Sequence, residues 1–134
     1  LLGLQRGRSG RWRIEDMYQQ FPQLAARRRV EAGRLSGGEQ QMLALCRTLM
    51  GDPKLVIVDE PTEGLAPQLV EQVGSFLQRL GAEGIAVLLV EQKLSIALAV
   101  SQRALVMGRG RIVFDGSPGQ LLADAELRRE WLEV

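Results

Sequence analysis

The sequence has no histidine and one cysteine, Cys46, which excludes a Cys/His zinc site and any internal disulfide. Long apolar runs are also lacking. The longest, residues 55–58 and 85–90, fall far short of the ~20 residues that span a bilayer, and the opening residues carry no charged-then-apolar leader pattern. The expectation is a cytosolic chain that does not cross a membrane by itself. What remains is an ordinary globular composition: 134 residues, 46% hydrophobic and 25% charged, with 17 basic residues against 16 acidic ones. Such a chain can bury a core, yet its surface-to-volume ratio leaves it leaning on partners. It begins with Leu rather than Met, inside the apolar stretch Leu1-Leu2-Gly3-Leu4, and reads as a fragment. Charge is uneven, with eight Arg against three acids in residues 1–34 and nine bases against thirteen acids beyond.

Local patterning predicts short helices over 13–20 and 24–30, separated by Phe21-Pro22 because proline holds its predecessor extended. After Ser36-Gly37-Gly38 a helix over 39–50 is expected, with Leu43, Cys46 and Met50 at helical spacing. Gly51-Asp52-Pro53 stops it. Residues 54–58 and 85–90 are aliphatic runs of the kind used by strands buried on both faces, and between them a helix starts at Pro67 and runs to Leu80. Another helix is expected over 93–100, then a hairpin of 104–107 and 111–114 around Gly108-Arg109-Gly110, then Ser117-Pro118 opening amphipathic helical turns over 121–132. Strand, helix, strand, helix and hairpin define an α/β chain, with no internal repeat or linker.

Two segments carry the chemistry. Ser36-Gly37-Gly38 at a helix start leaves backbone N–H groups exposed at the positive end of a helix dipole, suited to a phosphate, although such a turn alone is commonly just a cap. Residues 55–58 deliver Asp59 and Glu60 to the carboxyl end of an apolar strand, where α/β proteins place ligands; alone, this pair could equally be an acidic turn. Taken together, Leu35-Ser36-Gly37-Gly38-Glu39-Gln40 and, a helix later, Leu55-Val56-Ile57-Val58-Asp59-Glu60-Pro61 resemble the ABC-type ATPase family, as its signature loop and Walker B segment. The resemblance implies a three-layer P-loop NTPase-like sheet. It covers essentially the whole chain, with residues 1–34 as the end of the helical subdomain and 35–134 as the C-terminal part of the ATP-binding core.

The resemblance implies that Asp59 holds Mg²⁺ through water and that Glu60 is the base that polarises the attacking water. Ser36, Gly37, Gly38 and Glu39 face the ATP of a partner subunit. Thr62-Glu63-Gly64-Leu65-Ala66-Pro67 falls at the D-loop, with Ala66 where the family usually has Asp. Leu89-Val90-Glu91-Gln92-Lys93 falls at the switch segment, with Gln92 where most relatives place His. A glutamine amide can donate a hydrogen bond to a phosphate oxygen but cannot titrate, so Gln92 suits a sensor and not a proton shuttle. Both departures look like the branched-chain amino-acid importer ATPases, with urea and short-chain amide importer subunits as neighbours. The chain holds no Gly-x-x-x-x-Gly-Lys-[Ser/Thr] and no counterpart of the family's Q-loop glutamine, so it is expected to hydrolyse no ATP alone. Implied partners are ATP, Mg²⁺, a second ATP-binding subunit, membrane permease subunits and, indirectly, an external substrate-binding protein, on the inner face of the cell membrane. A reading of another class takes Arg6, Arg8, Arg11, Arg13 and Arg27-Arg28-Arg29 with Trp12, Tyr18 and Phe21 as a nucleic-acid surface; the net charge of +1 opposes it. Leu1, Leu2 and Leu4 could belong to a contact of the helical subdomain with membrane subunits, but are expected to be core cut open by truncation. Cys46, Met42, Met50, Trp131 and Leu132 are expected to be packing residues.

Overall fold

The computed structural model describes residues 10–132; Leu1, Leu2, Leu4, Arg6 and Arg8 lie outside them. Its elements are α1 (Ile14–Gln20), α2 (Pro22–Ala26), a 3-10 turn (Ala32–Arg34), α3 (Gly37–Leu49), β1 (Leu55–Asp59), α4 (Pro67–Ala82), β2 (Ala86–Val90), α5 (Leu94–Val100), β3 (Ala104–Gly108), β4 (Arg111–Gly116), α6 (Pro118–Ala123) and α7 (Ala125–Trp131). The α/β reading holds. β1 and β2 pair in parallel, from Leu55 opposite Ala86 to Asp59 opposite Val90, with α4 as the crossover. β3 and β4 form a separate antiparallel hairpin, turning at Arg109 and Gly110, both at positive φ, as a two-residue hairpin turn requires.

Three expectations needed correction. The second helix starts at Pro22 and not Leu24, because proline's fixed φ suits the first helical position. It also ends at Ala26, after which Arg27, Arg28 and Val30 close three-residue turns onto Leu24, Ala25 and Arg27. On α3 the buried stripe is Met42, Leu45, Cys46 and Leu49, while Leu43 is exposed; the helix face toward the core is rotated by one residue from the expected one. The β1 and β2 strands are not covered on both faces: Leu55, Ile57, Leu88 and Val90 are 53%, 65%, 47% and 48% exposed. α3 and α4 pack one face, where Val56, Val87 and Leu89 meet the core, and alternate side chains point to the other, which no described element covers.

The core joins α1 to α4 with the inner face of β1. Phe21 and Phe76 meet edge to face at 5.1 Å between centroids, and Trp12 meets Phe76 at 6.2 Å. Trp12 and Phe21 are therefore committed to packing, and Tyr18 is only half-exposed against the same core, so they supply no free stacking platform beside the arginines. Arg11 and Arg27 are engaged as well, the first with Asp52 and the Glu83 carbonyl, the second with Glu39. Cys46 is buried, and burial pushes its thiol up to about 12, which makes it an inert small hydrophobe.

The C-terminal elements are fastened by local devices. Ser117 caps α6 reciprocally with Gln120, with Pro118 at the first helical position, and Asp124 restarts the chain as α7 by accepting from the Leu127 N–H. Arg103 makes a bidentate pair with Asp115 at 2.7 and 2.6 Å, which holds the exposed Asp115 carboxyl below its ordinary value. The Trp131 ring lies against Gly108, where a Cβ would overlap it, and the Arg109 guanidinium is 5.4 Å from that ring's centroid. Trp131 is thus a packing residue.

Candidate functional site

The parallel pairing of β1 with β2 brings two segments together at the carboxyl ends of adjacent strands. The ladder continues one residue past β1, because the Glu60 N–H donates to the Val90 carbonyl at 2.8 Å. Glu60 adopts φ 45°, a left-handed backbone that non-glycine residues seldom take, which turns its side chain off the strand direction. There its carboxylate Oε1 accepts from Gln92 Nε2 at 2.5 Å. The structure thus places the two residues assigned catalytic roles by motif in direct contact, across 32 positions of sequence.

Beneath this contact lies a second set of bonds. Thr62 is completely buried, and its hydroxyl donates to Glu91 Oε2 at 2.7 Å. Glu91 Oε1 accepts from the Lys93 N–H at 3.2 Å, and Lys93 Nζ donates to the Thr62 carbonyl at 3.3 Å. Motif reading overlooked Thr62, Glu91 and Lys93 as a unit. A threonine in Asp-Glu-Pro-Thr and a carboxylate in Val-Glu-Gln are each ordinary until the strands pair.

The second cluster is the start of α3. Ser36 is the N-cap: its hydroxyl accepts from the Glu39 N–H at 3.3 Å, while Glu39 Oε2 accepts from the Ser36 N–H at 2.8 Å and from its hydroxyl at 2.9 Å. The Ser36 backbone bond, then its hydroxyl and Arg27, lower the Glu39 pKa. The carboxylate of Glu39 is therefore used within its own loop and with Arg27 at 3.4 Å. Gly37 has open space where a Cβ would point, whereas a Cβ on Gly38 would come within 2.7 Å of Leu65 Cδ2. Gly38 is thus the close-packing position, joining this helix start to the turn that follows Glu60, and Gly37 is the exposed one. As first-turn residues, both direct their N–H groups out of the helix end. Ala66 is the N-cap of α4 with no side-chain cap, and Pro67 opens that helix.

Asp59 is exposed at the end of β1. No group of three His, Cys, Asp or Glu able to hold a metal occurs among the described residues. A single exposed carboxylate such as Asp59 suits magnesium, which takes one or two carboxylates and completes its shell with water and substrate phosphates. One oxygen of the Glu60 carboxylate, Oε1, is engaged by Gln92.

The site is thus a parallel crossover unit with adjacent carboxylates at its strand end, preceded by a glycine-rich capped helix. The chain carries a fragment of an ABC transporter domain, whose family model matches residues 6–63. It is 42% identical over 119 residues to the high-affinity branched-chain amino acid transport ATP-binding protein BraG of Pseudomonas aeruginosa, covering 89% of this chain and 51% of that protein. It is also 41% identical over 96 residues to the L-cystine transport system ATP-binding protein TcyN of Escherichia coli, covering 72% of this chain and 38% of that one. Among solved structures, MJ1267, an ATP-binding cassette of an ABC transporter, superposes with a TM-score of 0.72 at 30% identity over 87% of this chain and 48% of that chain. The chain therefore spans about half the length of the curated relatives it matches. No described helix is long and apolar enough to cross a membrane.

Proposed function

We propose that these residues form the C-terminal half of the ATP-binding, ATP-hydrolysing subunit of an importer for branched-chain or related amino acids. The observation that carries this reading is the Gln92–Glu60 hydrogen bond at the carboxyl ends of β1 and β2, made by the Val-Glu-Gln version of the switch segment. Likeness to BraG supports the substrate class, while likeness to a cystine system widens it to related amino acids.

In this reading Glu60 accepts a proton from the attacking water, and Gln92 holds that carboxylate in place and reports the γ-phosphate through its amide. Asp59 would hold Mg²⁺ through water, and the ion would neutralise charge on the phosphate oxygens. Ser36, Gly37 and Gly38 offer their loop to the ATP of a second subunit, with Glu39 fixing the loop's shape and Ala66 lining the facing D-loop. Residues 1–34 belong to the helical subdomain and 35–134 to the core. The subunit works on the inner face of the membrane with permease subunits and, through them, a substrate-binding protein. On its own the 134-residue chain supplies no phosphate-cradling lysine loop and is assigned no turnover; Mg²⁺-dependent ATP hydrolysis by the purified chain would overturn that assignment.

The functional test is uptake. Deleting the gene should abolish high-affinity uptake of radiolabelled leucine, isoleucine and valine, and a plasmid copy of the gene should restore it. Unchanged uptake of all three, with loss of urea or short-chain amide uptake, would replace the amino-acid reading with the amide one.

A further inference from the structure

We propose that Thr62 and Glu91 are positioning residues that set the Glu60–Gln92 geometry, through the buried hydrogen bond from the Thr62 hydroxyl to the Glu91 carboxylate. The proposal rests on the reading of Glu60 as the base. Gln92 is exposed and carries a long side chain, so an undirected amide would lose rotamer freedom on holding Glu60. Its two chain neighbours remove that freedom from the backbone. Glu91 is tied to Thr62 at 2.7 Å and Lys93 to the Thr62 carbonyl at 3.3 Å, so both sides of Gln92 are anchored on one fully buried residue. Thr62 is also two residues from Glu60, whose left-handed backbone needs support from what surrounds it. The same residue therefore braces both partners of the contact. Lys93 Nζ also donates to the Thr62 carbonyl, at the corner where the Glu60 and Glu91 segments meet.

The structure distinguishes the hydroxyl from the packing of Thr62. Thr62→Val keeps the volume and removes the donor; Thr62→Ser keeps the donor and removes a methyl. In the intact subunit assembled with its transporter, Thr62→Val is expected to lower kcat for ATP about tenfold with KM changed less than about twofold, the loss of one buried hydrogen bond felt in the transition state. Thr62→Ser is expected to recover most of that loss. In the nucleotide-free protein, hydrogen exchange at residues 60–63 and 91–93 should quicken in the valine variant and not in the serine one. A residue that only fills space would give the reverse order, with serine worse than valine, and that order would overturn the proposal, as would equal kcat in Thr62→Val and wild type. Glu60→Gln measured beside them separates the failures. If Glu60→Gln stalls turnover while Thr62→Val does not, only the positioning role falls; if Glu60→Gln turns over normally, the base assignment falls and takes the positioning role with it.

Discussion

In the intact subunit, Glu60→Gln is expected to bind ATP as the parent does and to turn it over at least about 100-fold more slowly, the usual loss when a positioned general base is removed. The substitution is clean because of the contact the side chain makes. The introduced amide would keep an oxygen able to accept from Gln92 Nε2, so the bond seen at 2.5 Å and the left-handed backbone beneath it can persist. What disappears is the carboxylate's capacity to take a proton from water. The readout is single-turnover ATP hydrolysis beside equilibrium ATP binding. Hydrolysis at the parent rate with binding intact would remove Glu60 from the role of base and leave its bond to Gln92 as structure alone. Gln92→Ala should cost less than Glu60→Gln, because it frees the carboxylate without removing it.

The parts of this arrangement that depend on neighbours in sequence are legible there, and the parts that depend on strand pairing are not. Ser36 and Glu39 are three residues apart, so their reciprocal cap follows from spacing, as do the start of α4 at Pro67 and the turn at Arg109-Gly110. Spacing alone points to Leu43, Cys46 and Met50 as the α3 stripe, although the core takes Met42, Leu45, Cys46 and Leu49, because several apolar residues on a helix allow more than one face until a partner surface selects it. The aliphatic composition of β1 and β2 does not tell whether one face or two will be covered, since apolar side chains do not declare what will lie against them. Thr62 and Glu91 stand 29 residues apart, and their bond exists only because β2 lies beside β1 in the observed register.

Gly37→Phe is expected to slow hydrolysis by about 100-fold while leaving the subunit's own fold and nucleotide affinity near those of the parent, since blocking an approach by ~1 Å can cost that much in rate. The contrast with Gly38 supports this. Among the described residues, no atom outside the helix's own backbone lies within 4 Å of the point where a Gly37 Cβ would project, so a side chain can leave the helix there without meeting a neighbour, whereas a Cβ at Gly38 presses on Leu65. The obstruction should therefore be felt only by whatever comes up to the helix start from outside, which in the proposed arrangement is the ATP held by a second subunit. A mixing experiment tests that placement where the subunit pairs with itself. A dimer of one Glu60→Gln and one Gly37→Phe subunit would keep one wholly unaltered site if the loop acts on the partner's nucleotide, because the surviving Glu60 and the surviving Gly37 meet there. Hydrolysis by the mixed dimer should then exceed that of either pure mutant dimer by at least about tenfold. If the loop acted within its own subunit, every site in the mixture would carry one lesion, and the mixed dimer would be as slow as its parents.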